Sequence, residues 1–207
     1  MTVRKFTLLS AAALLCSCWW GTAYAADFNV YWADSDHKVA DLLISGPITR
    51  DDYYRFAAHA RELAGASKVY VRLSSSGGEV NDAMTIGASI KSRGWNTVVL
   101  TTCTSACALI WLAGKQRFLA AVARVGFHRA TTEDGSKLPD HLRPDNPDAD
   151  ASVMAYLKWL DLPEAVILFA TEAPPTSMNW LTEHNLKTLP LDVVRIRGVP
   201  PDTFAPW

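Results

Sequence analysis

The chain is poor in cysteine and carries almost no surplus charge. Four cysteines in 207 residues are too few for a disulfide scaffold. With 49% hydrophobic residues, a core can form without such staples. Lys and Arg number 20 against 21 Asp and Glu, a net charge of −1, and no long run of one sign occurs. Neutralising a phosphate backbone needs a basic face, which argues against nucleic-acid binding as the main task. No apolar run reaches the roughly 20 residues of a membrane-spanning helix, and no transmembrane helix is expected. Internal repeats and low-complexity tracts are lacking as well. Two sulfurs, Cys103 and Cys107, do not complete a metal shell by themselves, so neither metal nor cofactor is expected.

The first 25 residues read as a leader. Arg4 and Lys5 are a positive start, residues 6–16 are apolar with small side chains, and Ala23-Tyr24-Ala25 offers an A-x-A cleavage site. These are the three parts of a secretory signal peptide. An exported chain beginning near Ala26, periplasmic or secreted, is the expectation, with residues 26–207 as one domain. The rival is a loose lipobox, Leu15-Cys16-Ser17-Cys18, which would anchor the chain through lipid on Cys18. Cys16 and Cys18 leave with the signal in the first case. That leaves Cys103 and Cys107 as a pair in an oxidising compartment. They form a disulfide if the chain turns between them, or stay as two buried thiols packing as small hydrophobes.

Strands are expected at 38–45 (KVADLLIS), 68–73 (KVYVRL), 97–101 (TVVLT), 116–119 and 124–128. Between them lie helical patterns. Thr49 and Asp52 open one in capping-box fashion, with Tyr53, Phe56, Ala57, Ala60 and Leu63 at helical spacing. Val80, Ala83, Gly87 and Ile90 share a face of the next, which Gly94 ends. A third runs from near Ser105 to Ala113. Alternation of this kind with short links argues for an α/β domain with a parallel sheet. Residues 131–150 hold three prolines and few apolar side chains, and read as a mobile surface loop or an insert that orders on assembly. Helices at 151–160, 163–172 and 180–189 and an extended tail follow.

Three short stretches hold chemistry-bearing residues at the ends of β runs. SSSGG (74–78) joins a strand to a helix. Its Gly77 and Gly78 let backbone N–H groups approach a ligand closely, beside a helix N-terminus that favours negative charge; the same residues also suit an ordinary turn. Ser105, in TTCTSAC, opens a helix. It is either an N-cap or, if Thr104 caps instead, a free hydroxyl that needs a base within reach to act as a nucleophile. His128 ends the run RVGF and is the candidate base, or a structural histidine. His37, His59, His141 and His184 are read as surface residues.

In the order SSSGGEVNDAMTIGASI, CTSACALIWLAG, RVGFHRA and NWLTEHNLKTLPLDVV, the chain resembles the ClpP/crotonase superfamily. Within it, the chain is most similar to the ClpP-like serine peptidases. The resemblance covers residues 40–194. It implies an α/β fold built as a repeated β-β-α superhelix with a parallel sheet. It implies Ser105 as nucleophile, His128 as general base, and N–H groups of Gly77 or Gly78 and of Ala106 as an oxyanion hole. It also implies a peptide or unfolded-protein substrate and a homo-oligomer. One departure stands out. The family's acid lies just before the C-terminal helix, where this chain reads TSMNWL, with Asn179 and no carboxylate. The third member is then missing, replaced by an amide such as Asn179, or supplied from elsewhere; Asp161 and Glu172 are near in sequence. Two other readings share the fold: a degenerate binding or scaffold protein, and a crotonase-type acyl-thioester enzyme, for which an exported chain would meet little substrate.

Expressed with its own N-terminus in a Gram-negative host, the protein should be recovered from the periplasm with Ala26 as its first residue. Intact mass spectrometry checks this, and a lipid-modified mass starting at Cys18 would decide for the rival.

Overall fold

The computed structural model describes residues 25–131 and 146–197. Nearly all of the expected leader, residues 132–145 of the expected loop, and the end of the tail lie outside the described residues. The elements run β1 (Asp27–Trp32), β2 (Val39–Ser45), α1 (Asp52–Glu62), β3 (Lys68–Ser75), α2 (Val80–Arg93), β4 (Asn96–Thr104), α3 (Ala106–Leu112), β5 (Arg117–Ala120) and β6 (Arg124–Phe127). After these come α4 (Pro147–Trp159), α5 (Glu164–Thr171), β7 (Asn179–Trp180), α6 (Glu183–Thr188) and β8 (Val194–Ile196). Among the described residues no helix is long and apolar enough to cross a membrane.

The strands form one sheet in the order β1-β2-β3-β4-β5-β8. The β2·β3, β3·β4, β4·β5, β4·β6 and β5·β8 pairs are parallel, as the βα alternation predicts. Two antiparallel pairs are additions. β1 lies against β2, and β7 against β6. No strand is expected from the sequence before residue 38, yet DFNVYW alternates in period two. Phe28, Val30 and Trp32 face the core while Asp27, Asn29 and Tyr31 do not, which is the pattern of a half-buried strand.

Strand β4 is the centre of the design. Its first half pairs with β5 through Thr97–Val99, and its second half with β6 through Thr102–Thr104. The β3·β4 register shifts between Leu73 and Ser75, so that Ser75 stands opposite Cys103. The shift accommodates extra residues on β4 and bends it. The strand therefore continues past its expected end at residue 101. Helix α3 then enters the core with all seven residues buried, as expected of a helix apolar on every side. Trp111 is fully buried there, and its indole N–H donates to the Phe118 carbonyl.

Three helix starts differ from expectation. Helix α1 begins at Asp52 after Asp51, and Thr49 does not cap it; the Thr49 N–H and hydroxyl instead donate to the Asp52 carboxylate. The other two differ for a capping reason. Helix α4 begins at Pro147, not 151. Asn146 accepts from the Ala149 N–H and Pro147 occupies the first turn, where its missing N–H costs nothing. The last residues of the expected 131–150 loop are therefore helical. Helix α6 begins after Thr182, not at 180. The Thr182 hydroxyl accepts from the Asn185 N–H, and the Asn185 side chain accepts from the Thr182 N–H. Trp180 is left free to pair with Gly126 in the sheet.

Helix α4 docks through Tyr156. Its ring lies against Gly87 of α2, where any Cβ would collide with the Tyr156 hydroxyl. Burial raises the phenol pKa far above its ordinary range. The hydroxyl thus stays protonated and donates to the Leu109 carbonyl of α3. Gly87→Ala should lower stability by about 1–3 kcal/mol in denaturant melts. Added Tyr156→Phe removes the colliding oxygen, so the double variant should be more stable than the sum of the two single effects.

Candidate active site

Three parallel strands, β3, β4 and β6, end on the same side of the sheet. Ligands in open α/β sheets bind outside the carboxyl ends of the strands. Here those ends carry Gly77 and Gly78, Ser105, and His128. The structure brings Gly78, Ser105 and His128 to one cleft of about 680 Å³, walled further by Ile48, Glu79, Val80, Asp82, Thr131 and Asn146. Gly77 lies behind the wall, against Ser105.

Ser105 sits on the corner between β4 and α3 with φ 56° and ψ −128°. A non-glycine residue pays for such a conformation in strain, and positions of this kind cluster at functional sites. A strained strand-to-helix corner is also how nucleophilic serines are lifted clear of a sheet. The hydroxyl makes no capping bond. Thr104 does not cap α3 either; its hydroxyl donates to the Ser76 carbonyl. The corner is held by backbone, the Ser105 N–H donating to the Gly126 carbonyl at 2.9 Å. Ser105 is thereby tied to the strand that ends in His128.

Gly77 packs directly on this corner. A Cβ there would lie 2.7 Å from Ser105 Cβ and from the Thr104 carbonyl oxygen, and 2.9 Å from the Ala106 nitrogen. Its φ of 98° is also one that other residues avoid. The two glycines differ in their N–H groups. That of Gly77 donates to Ser75 Oγ at 3.0 Å. That of Gly78 has no hydrogen bond among the described residues. The neighbouring bonds of the Ile48 bridge use the Gly77 carbonyl and the Glu79 N–H instead. Ala106 is the first residue of α3, so its N–H has no partner within the helix. Of the backbone donors expected around Ser105, Gly78 and Ala106 are thus the two whose N–H groups remain open.

His128 is half-buried and lines the cleft beside Ser105. Its Nδ1 lies 2.6 Å from the Arg129 carbonyl oxygen. A carbonyl only accepts, so Nδ1 carries the proton and Nε2 of the neutral ring carries the lone pair. Among the described residues no hydrogen bond joins Ser105 Oγ to the ring. Beneath the pair is a space of about 20 Å³ walled by Val80, Leu109, Phe127, Val153 and Ala170.

The residues weighed as a third member fall elsewhere. The Asn179 side-chain N–H donates to the Phe169 carbonyl at 3.1 Å, and Asn179 pairs with Phe127 in the sheet. The carboxylate of Asp161 is 86% exposed and paired with Lys91. Glu172 is an exposed C-cap residue. The group facing Nδ1 is a main-chain carbonyl, which leaves no mark in a sequence. Gly126 does let another segment come close: Met178 and Trp180 occupy the space its side chain would need. Of the remaining histidines, His59 stacks on Phe28 and His37 on Trp32, away from the cleft. His184 is exposed on α6, and His141 lies outside the described residues.

Cys103 and Cys107 are joined in a disulfide, with Cα atoms 5.3 Å apart. Cys103 ends in β4 and Cys107 lies in α3, so the chain turns between them. Both are fully buried, and the link brackets Ser105.

No protein-family profile matches the chain, and no curated protein does. Solved structures do match. One is a variant of the 1510-N membrane-bound stomatin-specific protease, with a TM-score of 0.57 and 20% identity over 78% of this chain and 79% of that one. Another is a ClpP1 variant from Listeria monocytogenes, with a TM-score of 0.52 and 18% identity over 78% of this chain and 94% of that one. The fold is ClpP-like. Its mixed α/β architecture with a central sheet is common to both neighbours.

Within this ClpP-like fold the disulfide closes a loop of five residues, which in the chain-entropy account stabilises by about 2 kcal/mol. The double variant Cys103→Ala/Cys107→Ala should lose about that much in denaturant melts. Peptide mapping of the native protein should give the 103–107 link until reductant is added.

Proposed function

We propose that this protein is a serine hydrolase, and specifically an exported peptidase acting on peptides or unfolded chains. The observation that carries the reading is the Ser105 corner. A strained serine at a strand's carboxyl end, its hydroxyl unused for capping, shares a cleft with a histidine whose Nε2 is free to accept a proton. In this reading Ser105 Oγ attacks the substrate carbonyl as His128 Nε2 takes its proton. Gly78 and Ala106 N–H groups receive the developing oxyanion. Each such donor contributes about 10²–10³ in rate. The imidazolium then protonates the leaving amine, and water releases the acyl-enzyme by the reverse sequence. One structural neighbour is a stomatin-specific protease, which supports the direction of this reading at the level of fold.

The missing hydrogen bond between Ser105 and His128, and the lack of a carboxylate on the ring among the described residues, favour a second reading. In it the cleft binds a peptide without cutting it. Catalytic hydrogen bonds are often long without substrate and tighten on binding, which is why the hydrolase reading is preferred.

A fluorophosphonate probe separates the two. The wild type should be labelled at Ser105, with the site read by mass spectrometry. Ser105→Ala should abolish labelling, and His128→Ala should slow it by about 10²–10⁴. Folded wild-type protein that takes no label would decide for the binding reading.

A further inference from the structure

Three backbone groups just after His128 are bonded to residues from later in the chain. The Arg129 N–H donates to the Ala173 carbonyl at 2.8 Å, and the Ala130 carbonyl accepts from the Asn146 N–H at 3.1 Å. The remaining amide is the peptide unit between Arg129 and Ala130. Its carbonyl oxygen lies 2.6 Å from His128 Nδ1. Its N–H donates at 2.8 Å to the Asp150 carboxylate. One planar amide therefore stands between an imidazole and an acid, hydrogen-bonded to each by its opposite ends.

We propose that Asp150 is the acid of this site, acting on His128 through the Arg129–Ala130 peptide unit as a positioning residue. Resting on the hydrolase reading, this supplies the member that the TSMNWL segment lacks. A carboxylate accepting from an amide N–H pulls electron density toward the carbonyl oxygen, which becomes a better acceptor for Nδ1–H; hydrogen bonds in a chain reinforce one another. The effect is to hold the ring in the Nδ1–H tautomer and to favour the imidazolium that forms when Nε2 takes the Ser105 proton. No proton crosses the amide. The proton that leaves Ser105 Oγ stays on Nε2 until the leaving group takes it, Nδ1 keeps its own, and Asp150 stays ionised. The place suits a charged acid. Asp150 is half-buried in the first turns of α4, where the helix dipole favours a negative charge.

The test uses the full chain and separates the charge from the hydrogen bond. Asp150→Asn keeps an oxygen to accept from the Ala130 N–H and removes the charge; Asp150→Ala removes both. The first readout is the rate of Ser105 labelling by the fluorophosphonate probe. The second is the low-field proton resonance of His128 Nδ1–H, assigned by its loss in His128→Gln and observable without turnover. The proposal expects Asp150→Asn to melt like the wild type, to label about tenfold more slowly, equivalent to about 1.4 kcal/mol less stabilisation of the imidazolium, and to show the resonance moved upfield. Wild-type labelling and an unmoved resonance in Asp150→Asn, with only Asp150→Ala impaired, would overturn it and leave Asp150 a backbone clamp. Slower labelling with an unmoved resonance also overturns it, since the charge would then act by another route. If Asp150→Ala does not fold, Asp150→Asn alone decides. If the wild type takes no label, the hydrolase reading fails, and the resonance in Asp150→Asn still decides the relay.

Discussion

Everything at the cleft depends on one close approach, the backbone of Gly77 lying against the corner at Ser105. No side chain fits between them, because a Cβ at Gly77 would press on Ser105 Cβ and the Thr104 carbonyl together. That contact fixes where the turn after β3 meets the turn after β4. From it follow the place of the Gly78 N–H, the buried start of α3 at Ala106, and the cleft itself. A strained backbone persists only when its surroundings over-determine it. Here they do so three times: the Ser105 N–H is bonded to Gly126, the corner is bracketed by the Cys103–Cys107 disulfide, and α3 is wholly buried.

The histidine is held by a different part of the molecule. His128 leaves β6 at the sheet, but the peptide units after it are bonded to residues of α4 and the turn after α5. Helix α4 is in turn docked on α2 and α3 through Tyr156, whose hydroxyl reaches the Leu109 carbonyl. Ser105 and His128 thus answer to separate supports that meet at Gly126.

Much of the site is legible along the chain because each of its parts is local. SSSGG after a β run, a serine at a strand-to-helix junction and a histidine at a strand end are signals carried by a handful of adjacent residues. The central strands and helices follow likewise from periodicity. β1 has a legible signal too, in the alternation of Phe28, Val30 and Trp32, yet it pairs antiparallel with β2, outside the βα alternation. Helix α4 hides behind a proline and two acidic residues that read as loop, although Asn146 and Pro147 form an ordinary helix start.

By its amino acids alone the chain determined that a core would form, that strands and helices would alternate, and which three segments would carry a hydroxyl, an imidazole and glycine-turn amides. These are consequences of side-chain type and short-range spacing. Only the tertiary structure decided that Cys103 and Cys107 bond across the corner, that Gly77 spends its N–H on Ser75 while Gly78 does not, and that a main-chain carbonyl faces His128 in place of Asn179. Each of these turns on where two distant stretches of backbone come to rest, and on which lone pair or N–H is left over when they do. Peptide groups are the same at every position in a sequence, so nothing written in it marks which of them will be called upon.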